Sequence, residues 1–594
     1  MKYKKQIQLI AAIVTLIVFP VITFYLMEAY THNPFEEVRP WAQFFNILLF
    51  ELLAWIFVSV TGKIQSGLRI ELVVAMIYGI ANAYVVRFRT NPIVPWDIFS
   101  WKTAASVVSN YDFKPDTRMV VVTLVFLGMI VLLQFVKTGI PKFQLWKRLI
   151  PAGVCCIVLV LFVNLLQDED FQTGHRLYPF LFTPAFMTQV NGMAVTFAMD
   201  LAYVTVEKPS GYDAAKEQAV LESYAEQEDD ADSSDKKEEL PNIIVVMNES
   251  FSDLKVLGDF TTNEDYMPYL HSLQNGAENT VTGYLNVSVC GGNTANTEFE
   301  FLTGNSMAFL PQGSIPYQQY TKELPALPAY LASLGYETVA THPYYADGWD
   351  RDKVYPLLGF SESIFKDQYW GAGYVRKYVS DNSCVDKIIE LYEKKEEGTP
   401  LFVFNVTMQN HGGYSDTYDN FTPDITVEGV ESTPLSQYLS LVRLSDQALE
   451  KLISYFEEAD EKTIVVFFGD HQPNDTVAAP ILNLNGMTTK TLTEDQLKLR
   501  YEVPYVIWAN YDIDAESGKD TSANYLAADV LHYAGISENA YGSYLLELQQ
   551  NYPVISAMRV LTKDGLDTNS SSLKQELKDY QSLQYYQLFD WKKE

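Results

Sequence analysis

Five long apolar stretches crowd the first third of this chain, and they constrain its fold more than any other feature. They cover residues 7–27, 44–60, 70–86, 119–136 and 149–166. Each approaches the ~20 residues a helix needs to cross a bilayer's hydrocarbon core. The first is too long for a signal peptide, lacks a clear small-residue cleavage site and is followed by four more spans. The expectation is a polytopic helical membrane domain of five spans. Lys2, Lys4 and Lys5 precede the first span, Lys63 and Arg69 lie between the second and third, and Lys137, Lys142, Lys147 and Arg148 lie between the fourth and fifth. The longer opposite loops hold Arg39, Arg87, Arg89, Lys102, Lys114 and Arg118. Basic density favours an N-terminus inside and, with an odd number of spans, a C-terminal half outside. Glu51, within the second span, is costly in lipid unless it faces protein or water. It reads either as a lipid-headgroup or acceptor contact, or as a position near the membrane edge.

Between the spans and the rest of the chain the pattern is mixed. Residues 91–110 carry Pro92, Pro95, Trp96 and Trp101 and read as an interfacial or re-entrant piece. Residues 168–206 read as amphipathic elements on the membrane surface, and the acid-rich run 222–239 as a solvated linker. The organisation expected is a five-span domain over 1–167, a membrane-surface and acidic linker over 168–240, a catalytic domain over 241–556 and a polar tail over 557–594.

Charge and cysteine usage narrow the function. The chain carries 74 acids against 43 bases, a net charge of -31. A protein that tracks nucleic-acid phosphates needs a basic stripe, and none is visible in the C-terminal half. Aromatic residues at 14% argue against disorder, and four Cys in 594 residues exclude a disulfide-built scaffold. Cys290 and Cys384 remain candidates for a pair, which an outside location permits.

From Pro241 onward short apolar runs alternate with helical patterns such as 324–334 and 435–456. Runs 242–247 (NIIVVM), 337–340 (ETVA), 401–408 (LFVFNVTM) and 463–468 (TIVVFF) are continuous and β-branched. They read as strands of a parallel sheet covered on both faces. The domain is therefore α/β. Each strand runs into polar residues: Asn248-Glu249-Ser250, Thr341-His342, Gln409-Asn410-His411 and Gly469-Asp470-His471. Ligands of open α/β sheets bind outside the carboxyl ends of the strands. Four strands thus aim Glu249, His342, His411, Asp470 and His471 at one crevice. Any one of these His has about even odds of being a hydrogen-bonded core residue, whereas the set points to a site. Carboxylates with imidazole suit Zn²⁺, Mn²⁺ or Mg²⁺, and oxygen-rich donors suit Mn²⁺ or Mg²⁺.

The segment CGGNTANTEFEFLTG, residues 290–304, offers a nucleophile. Gly291-Gly292 permits a tight turn, and Asn293-Thr294 opens a helix whose positive end favours a Thr alkoxide. Taken alone, Thr294 reads as an N-cap, with Thr297 and Glu298 in the first turn; beside a metal site it reads as a nucleophile. His342 is followed by Trp349 and Arg351, an apolar wall and a guanidinium able to grip phosphate. The alternative is a core Trp and a surface Arg.

These residues resemble the lipoteichoic acid synthase family, polytopic glycerophosphate transferases with an extracellular sulfatase/alkaline-phosphatase-like domain. The resemblance runs over nearly the whole chain. It rests on Asn248-Glu249-Ser250-Phe251, Gly292-Asn293-Thr294 through Glu298-Phe299, Trp349-Asp350-Arg351, Asn410-His411 and Gly469-Asp470-His471. It implies that Glu249, Thr294, Asp470 and His471 hold one Mn²⁺, with Mg²⁺ as the alternative, and that Thr294 is the nucleophile. His342, Trp349, Arg351 and His411 would surround the glycerophosphate. The implied donor is the membrane lipid phosphatidylglycerol, and the acceptor a glycolipid or polymer. The chain departs from the family in Asn293, where a Lys precedes the Thr, and in Gly291-Gly292. It lacks the Cys/Ser-x-Pro-x-Arg run of sulfate-ester hydrolases. Readings held beside synthesis of lipoteichoic acid are transfer of glycerophosphate or phosphoethanolamine to another glycan or glycolipid, a phosphodiesterase, and a non-catalytic scaffold.

Overall fold

A computed structural model describes residues 2–89, 92–98, 113–136, 145–178, 184–201, 206–231, 240–311, 314–318, 322–489, 492–567 and 574–592. The chain divides into two compact units, one built mainly from Met1–Ile98 and Asp112–Thr205, the other from Val206–Leu310 and Ile315–Glu594.

The first unit is helical: α1 (Lys2–Glu28), α2 (Pro40–Thr61), α3 (Ile64–Arg89), α4 (Thr117–Leu132) and α5 (Leu145–Leu166). Among the described residues four segments are long and apolar enough to cross a membrane, Gln6–Glu28, Pro40–Thr61, Ile64–Arg87 and Trp146–Leu166. The fourth expected span is the shorter α4, at 16 residues. At 1.5 Å per residue it reaches about 24 Å, short of the ~30 Å hydrocarbon core. Five full spans are therefore not established, and the membrane reading rests on four.

The elements after α5 pack within the helical unit. Met193–Asp200 is a helix with Met193, Val195, Ala198 and Met199 buried. Its first turn is held by the helices of the same unit: Met193 N–H donates to Glu28 Oε1 at 2.7 Å and Val195 N–H to Asn46 Oδ1 at 3.1 Å. Side chains of α1 and α2 thus satisfy N–H groups that a helix start leaves open. Glu51 is half-buried on α2. Most of the piece expected at 91–110 lies outside the described residues, which retain a single turn at Pro95–Ile98. The acidic run begins inside a helix, Ala214–Ala231, and continues into residues outside the description.

The second unit is built on a nine-stranded sheet. Its strands of note are β1 (Asn242–Asn248), β2 (Thr280–Asn286), β3 (Glu337–His342), β4 (Glu362–Phe365), β5 (Tyr374–Val375), β6 (Tyr378–Val379), β7 (Leu401–Val406), β8 (Thr463–Gly469) and β9 (Glu502–Ala509). The short β5 and β6 form a separate hairpin. The central order is β2-β9-β8-β1-β7-β3-β4. The four strands expected from sequence, β8, β1, β7 and β3, are consecutive parallel neighbours. β9 was missed. It carries Pro504, which reads as a strand breaker, and it pairs antiparallel with both β8 and β2.

Alternation along β1 divides the core. Ile243, Val245 and Met247 join one apolar cluster, Ile244 and Val246 the other. The covering helices include α6 (Thr294–Thr303), α7 (Asp381–Lys394), α8 (Thr433–Glu457) and α9 (Ala523–Tyr533), while α10 (Gln575–Tyr585) packs in a separate apolar cluster with Tyr525 of α9. Phe299, Leu302, Leu526 and Val530 of α6 and α9 pack on the first face, and Val385, Ile388, Leu449 and Phe456 of α7 and α8 on the second. α8 starts where Ser432 caps it by accepting from Leu435 N–H, with a Pro in the first turn. Cys290 and Cys384 are free thiols in opposite clusters, so they do not pair. The polar tail is no loose end. Tyr580 of α10 is buried and donates to Gly304 O at 2.8 Å, just past the end of α6.

Candidate active site

Parallel register brings the first groups together. Asn248, the last residue of β1, lies beside Gly469, the last of β8. Glu249 and Asp470 therefore leave the sheet side by side. Glycine at 469 is required by space: a Cβ there would lie 1.9 Å from Phe251 O. Ser250 turns with φ +52, and its N–H donates to Asp470 Oδ1 at 2.6 Å, joined by His471 N–H at 2.8 Å. One oxygen of Asp470 is thereby spoken for by backbone, and the other is free to face the crevice.

The donor set fits a divalent cation. One ligand atom from each of Glu249, Asp470 and His471 can be chosen so that all lie within 4.8 Å of one another. Asp470 Oδ2 and His471 Nε2 are 3.2 Å apart, yet both are buried without a hydrogen-bond partner. The reason lies in the tautomer. His471 Nδ1–H donates to Gln472 O at 2.9 Å, so Nε2 presents a lone pair. Burial, then the charge of Asp470, pushes the Glu249 carboxyl well above the usual range; burial raises Asp470, with His471 opposing. Two carboxylates that resist ionising together, beside a bare imidazole nitrogen, form a cluster that a cation would complete.

Thr294 joins this cluster. Gly291, Gly292 and Asn293 all take positive φ, and the turn delivers Thr294 as the first residue of α6. Asn293, without a side-chain cap bond, holds the N-cap position instead. The Thr294 hydroxyl donates to Glu249 Oε2 at 3.3 Å. Thr297 Oγ1 donates to Asp470 O at 2.8 Å, tying the helix start to the β8 loop.

The other expected residues form a second layer. His342 is buried; its Nδ1–H donates to Val406 O at 2.9 Å, and its Nε2 accepts from Arg351 Nη1 at 3.3 Å. Burial and the Arg351 charge hold its pKa well below the usual value. His411, whose Nδ1 is 3.1 Å from Tyr378 Oη, is pushed down to about 3 by burial and by the charges of Arg376 and Lys377. Both imidazoles are neutral. Trp349 and Asp350 are successive left-handed residues, φ 58 and 56, and Trp349 is half-buried against the core. Such conformations cost about 1–3 kcal/mol each and cluster at functional sites.

Arg351 departs from the expected phosphate fork. It is buried, and Nε contacts both Glu298 oxygens at 3.1 and 3.2 Å, with Nη2 on Oε1 as well. Nη1 reaches His342 Nε2 and Gly348 O. Glu298 also accepts from Tyr355 Oη at 2.8 Å. Four of the five N–H directions of a guanidinium are thus used within the protein.

The family described as Sulfatase matches residues 241–536. A putative cyclic beta-1,2-glucan modification protein of Rhizobium meliloti (strain 1021) is 30% identical over 523 residues, 84% of this chain and 79% of that protein. The chain belongs to the sulfatase family. Lipoteichoic acid synthase 1 of Bacillus subtilis (strain 168) is 25% identical over 236 residues, 39% of this chain and 36% of the synthase. The fold is shared with the Streptococcus pyogenes phosphoglycerol transferase GacH, solved with sn-glycerol-1-phosphate, at TM-score 0.52 and 22% identity over 64% of this chain and 94% of that one. Within the sulfatase family the chain is similar, over part of its length, to the lipoteichoic acid synthases.

Two features of the site escaped the sequence reading. Glu298 was read as a first-turn residue and as part of the motif that carries the resemblance, and nothing local announces its guanidinium partner 53 positions away. The second is a buried network under the crevice. Asp381 Oδ2 accepts from Asn248 Nδ2 at 2.7 Å and Ser445 Oγ at 2.6 Å, while Asn410 Nδ2 donates to Asn248 Oδ1 and Ser445 Oγ. It locks the ends of β1 and of the β7 loop, the carriers of Glu249 and His411.

Proposed function

We propose that this chain is a divalent-metal-dependent phosphotransferase. It moves glycerophosphate from phosphatidylglycerol, through a phospho-threonine on Thr294, to a hydroxyl of lipoteichoic acid or a related cell-envelope polymer. The observation that carries this reading is the Thr294 hydroxyl at the start of α6, directed at Glu249 inside the Glu249, Asp470 and His471 cluster.

Two displacements make up the transfer. In the first, Thr294 Oγ1 bonds to phosphorus, the phosphorus–oxygen bond to diacylglycerol breaks, and that oxygen takes a proton. In the second, the acceptor hydroxyl bonds to phosphorus, gives up its proton and releases Thr294. Glu249, Thr294, Asp470 and His471 would hold a cation, Mn²⁺ or Mg²⁺ on these donors, which would supply a lowered hydroxyl pKa and screening of phosphoryl charge. His411, neutral in the resting protein, accepts the acceptor's proton. Arg351, held by Glu298, offers its remaining N–H and its positive field rather than a fork, and Trp349 walls the glycerol. His342, with Nδ1–H on Val406 O and Nε2 accepting from Arg351 Nη1, orients that guanidinium beside the phosphoryl group. With α4 as a short fifth crossing and the N-terminus inside, the catalytic unit lies outside the cell. Attachment to the membrane helices then confines the site to the neighbourhood of its lipid donor.

The test is a liposome assay with full-length protein, Mn²⁺ and fluorescent phosphatidylglycerol, run beside Thr294→Ala. Diacylglycerol release that requires both Mn²⁺ and Thr294 is expected; release that survives Thr294→Ala removes the covalent mechanism. A second reading, single transfer onto a glycan, is favoured by the glucan-modification relative, whose similarity spans 84% of this chain against 39% for the synthase. The products separate the two: a ladder of glycerophosphate units, or a glycan carrying one.

A further inference from the structure

An aromatic path leads from the site's two imidazoles to solvent. The His411 ring lies 5.5 Å from Tyr378, Tyr378 6.4 Å from Tyr344, and Tyr344 6.2 Å from His342. Tyr344 packs edge-on against Tyr345 at 4.8 Å, and Tyr345 is 49% exposed. Lys366 Nζ sits 4.9 Å over the Tyr345 ring. Beyond it, in the segment leaving β4, Trp370 is 89% exposed, and Tyr374 at the start of the β5–β6 hairpin is 44% exposed.

These positions belong to the site's end of the sheet. β3 and β4 are parallel, with His342 beside Phe365. Trp370 therefore follows the carboxyl end of β4 as His342 closes β3. Its neighbour Tyr369 is buried, and its hydroxyl accepts from Asn405 on β7 at 3.4 Å. The backbone carrying Trp370 is anchored, while the indole has no hydrogen-bond or ring partner among the described residues. An aromatic side chain commonly buries about 150–250 Å² when packed. An indole left in water on an anchored segment forgoes that gain, and exposed aromatics of this kind mark binding surfaces.

We infer that Tyr345, Trp370 and Tyr374 form an acceptor ledge that binds the pyranose rings of a neutral glycan. The inference rests on the transferase reading with a glycan acceptor. Pyranose rings present apolar C–H faces rimmed by hydroxyls, which match flat aromatic faces that carry the Tyr hydroxyls and the Trp N–H. The charge balance argues for a neutral ligand. Exposed Asp347, Glu362 and Asp367 balance Lys366, Arg376 and Lys377 of the same loops, strand and hairpin, so the ledge has no basic excess to draw an anionic lipid surface. Tyr344 and Tyr378, both buried, join the ledge to His411 through packed rings.

Binding and transfer test the inference separately. Full-length protein in detergent is titrated calorimetrically with a β-linked gluco-hexasaccharide without added metal, so that no transfer is required. Wild type is expected to bind, and Trp370→Ala and Tyr345→Ala each to weaken binding at least ~10-fold, as for removal of an aromatic hot spot. Both side chains are solvent-facing, and unchanged thermal unfolding of each variant checks the fold. Absent binding to wild type, or equal affinity in all three proteins, overturns the ledge. So does flotation with phosphatidylglycerol vesicles that depends on Trp370 while the hexasaccharide does not bind. If wild type binds the sugar through these residues but releases no diacylglycerol in the liposome assay, the ledge stands and the transferase reading falls.

Discussion

Neutralising Glu298 while leaving its shape intact probes the least expected contact of the site. Glu298→Gln replaces a fully buried carboxylate that accepts from Arg351 Nε, Arg351 Nη2 and Tyr355 Oη. Nothing else among the charged side chains bonded to Arg351 offsets its charge, because its remaining contacts are His342 Nε2 and Gly348 O. Breaking a buried pair from one side typically costs about 3–5 kcal/mol, since the surviving charge stays buried without a partner. Arg351→Met should cost a similar amount by stranding Glu298. The double variant Glu298→Gln/Arg351→Met removes both charges and should fall short of the sum of the singles by at least ~2 kcal/mol. Urea unfolding of the full-length protein in detergent, followed by tryptophan fluorescence, measures all three. Additive losses, or single variants within about 1 kcal/mol of wild type, would refute the reasoning that this guanidinium is tied up by protein rather than held ready for substrate.

Three further outcomes follow from the geometry. Glu300, buried on α6 and accepting from Met307 N–H and Ser288 Oγ, is raised to about 7 by burial. The folded state holds that proton more tightly than the unfolded chain, so its contribution is complete below about pH 4.5 and fades as pH rises through about 7. Glu300→Gln should flatten that part of the pH–stability curve and leave the protein more stable at pH 8, by on the order of 3 kcal/mol; an unchanged curve contradicts it. Gly469→Ala places a Cβ 1.9 Å from Phe251 O, so it should lower the melting temperature and reduce metal affinity by displacing Asp470; a wild-type thermogram would exclude that crowding. Added Mn²⁺ should raise the melting temperature of wild type, because a ligand that binds only the folded state stabilises it. Asp470→Asn should abolish the rise, and a rise that persists would place the ion elsewhere.

The sequence alone determined the broad architecture, because that information is local. Runs of β-branched residues such as NIIVVM and TIVVFF report burial on both sheet faces, and residues 7–27 are too long and apolar for a soluble helix. The polar residues that end each strand were equally legible, since a parallel sheet carries strand ends to one edge. That reasoning foresaw Glu249, Asp470 and His471 as neighbours, and the register of Asn248 with Gly469 realises it. Tertiary structure decided what depends on partners distant in the chain. β9, a strand that carries Pro504, is set by β8 and β2, which pair with it on its two sides. The grip of Glu298 on Arg351 spans 53 positions and turns the guanidinium inward. The network around Asp381 and the seating of Tyr580 against Gly304 also join residues with no shared periodicity. Patterning records whether a side chain is buried; which buried groups meet is set by packing, and no single segment carries that.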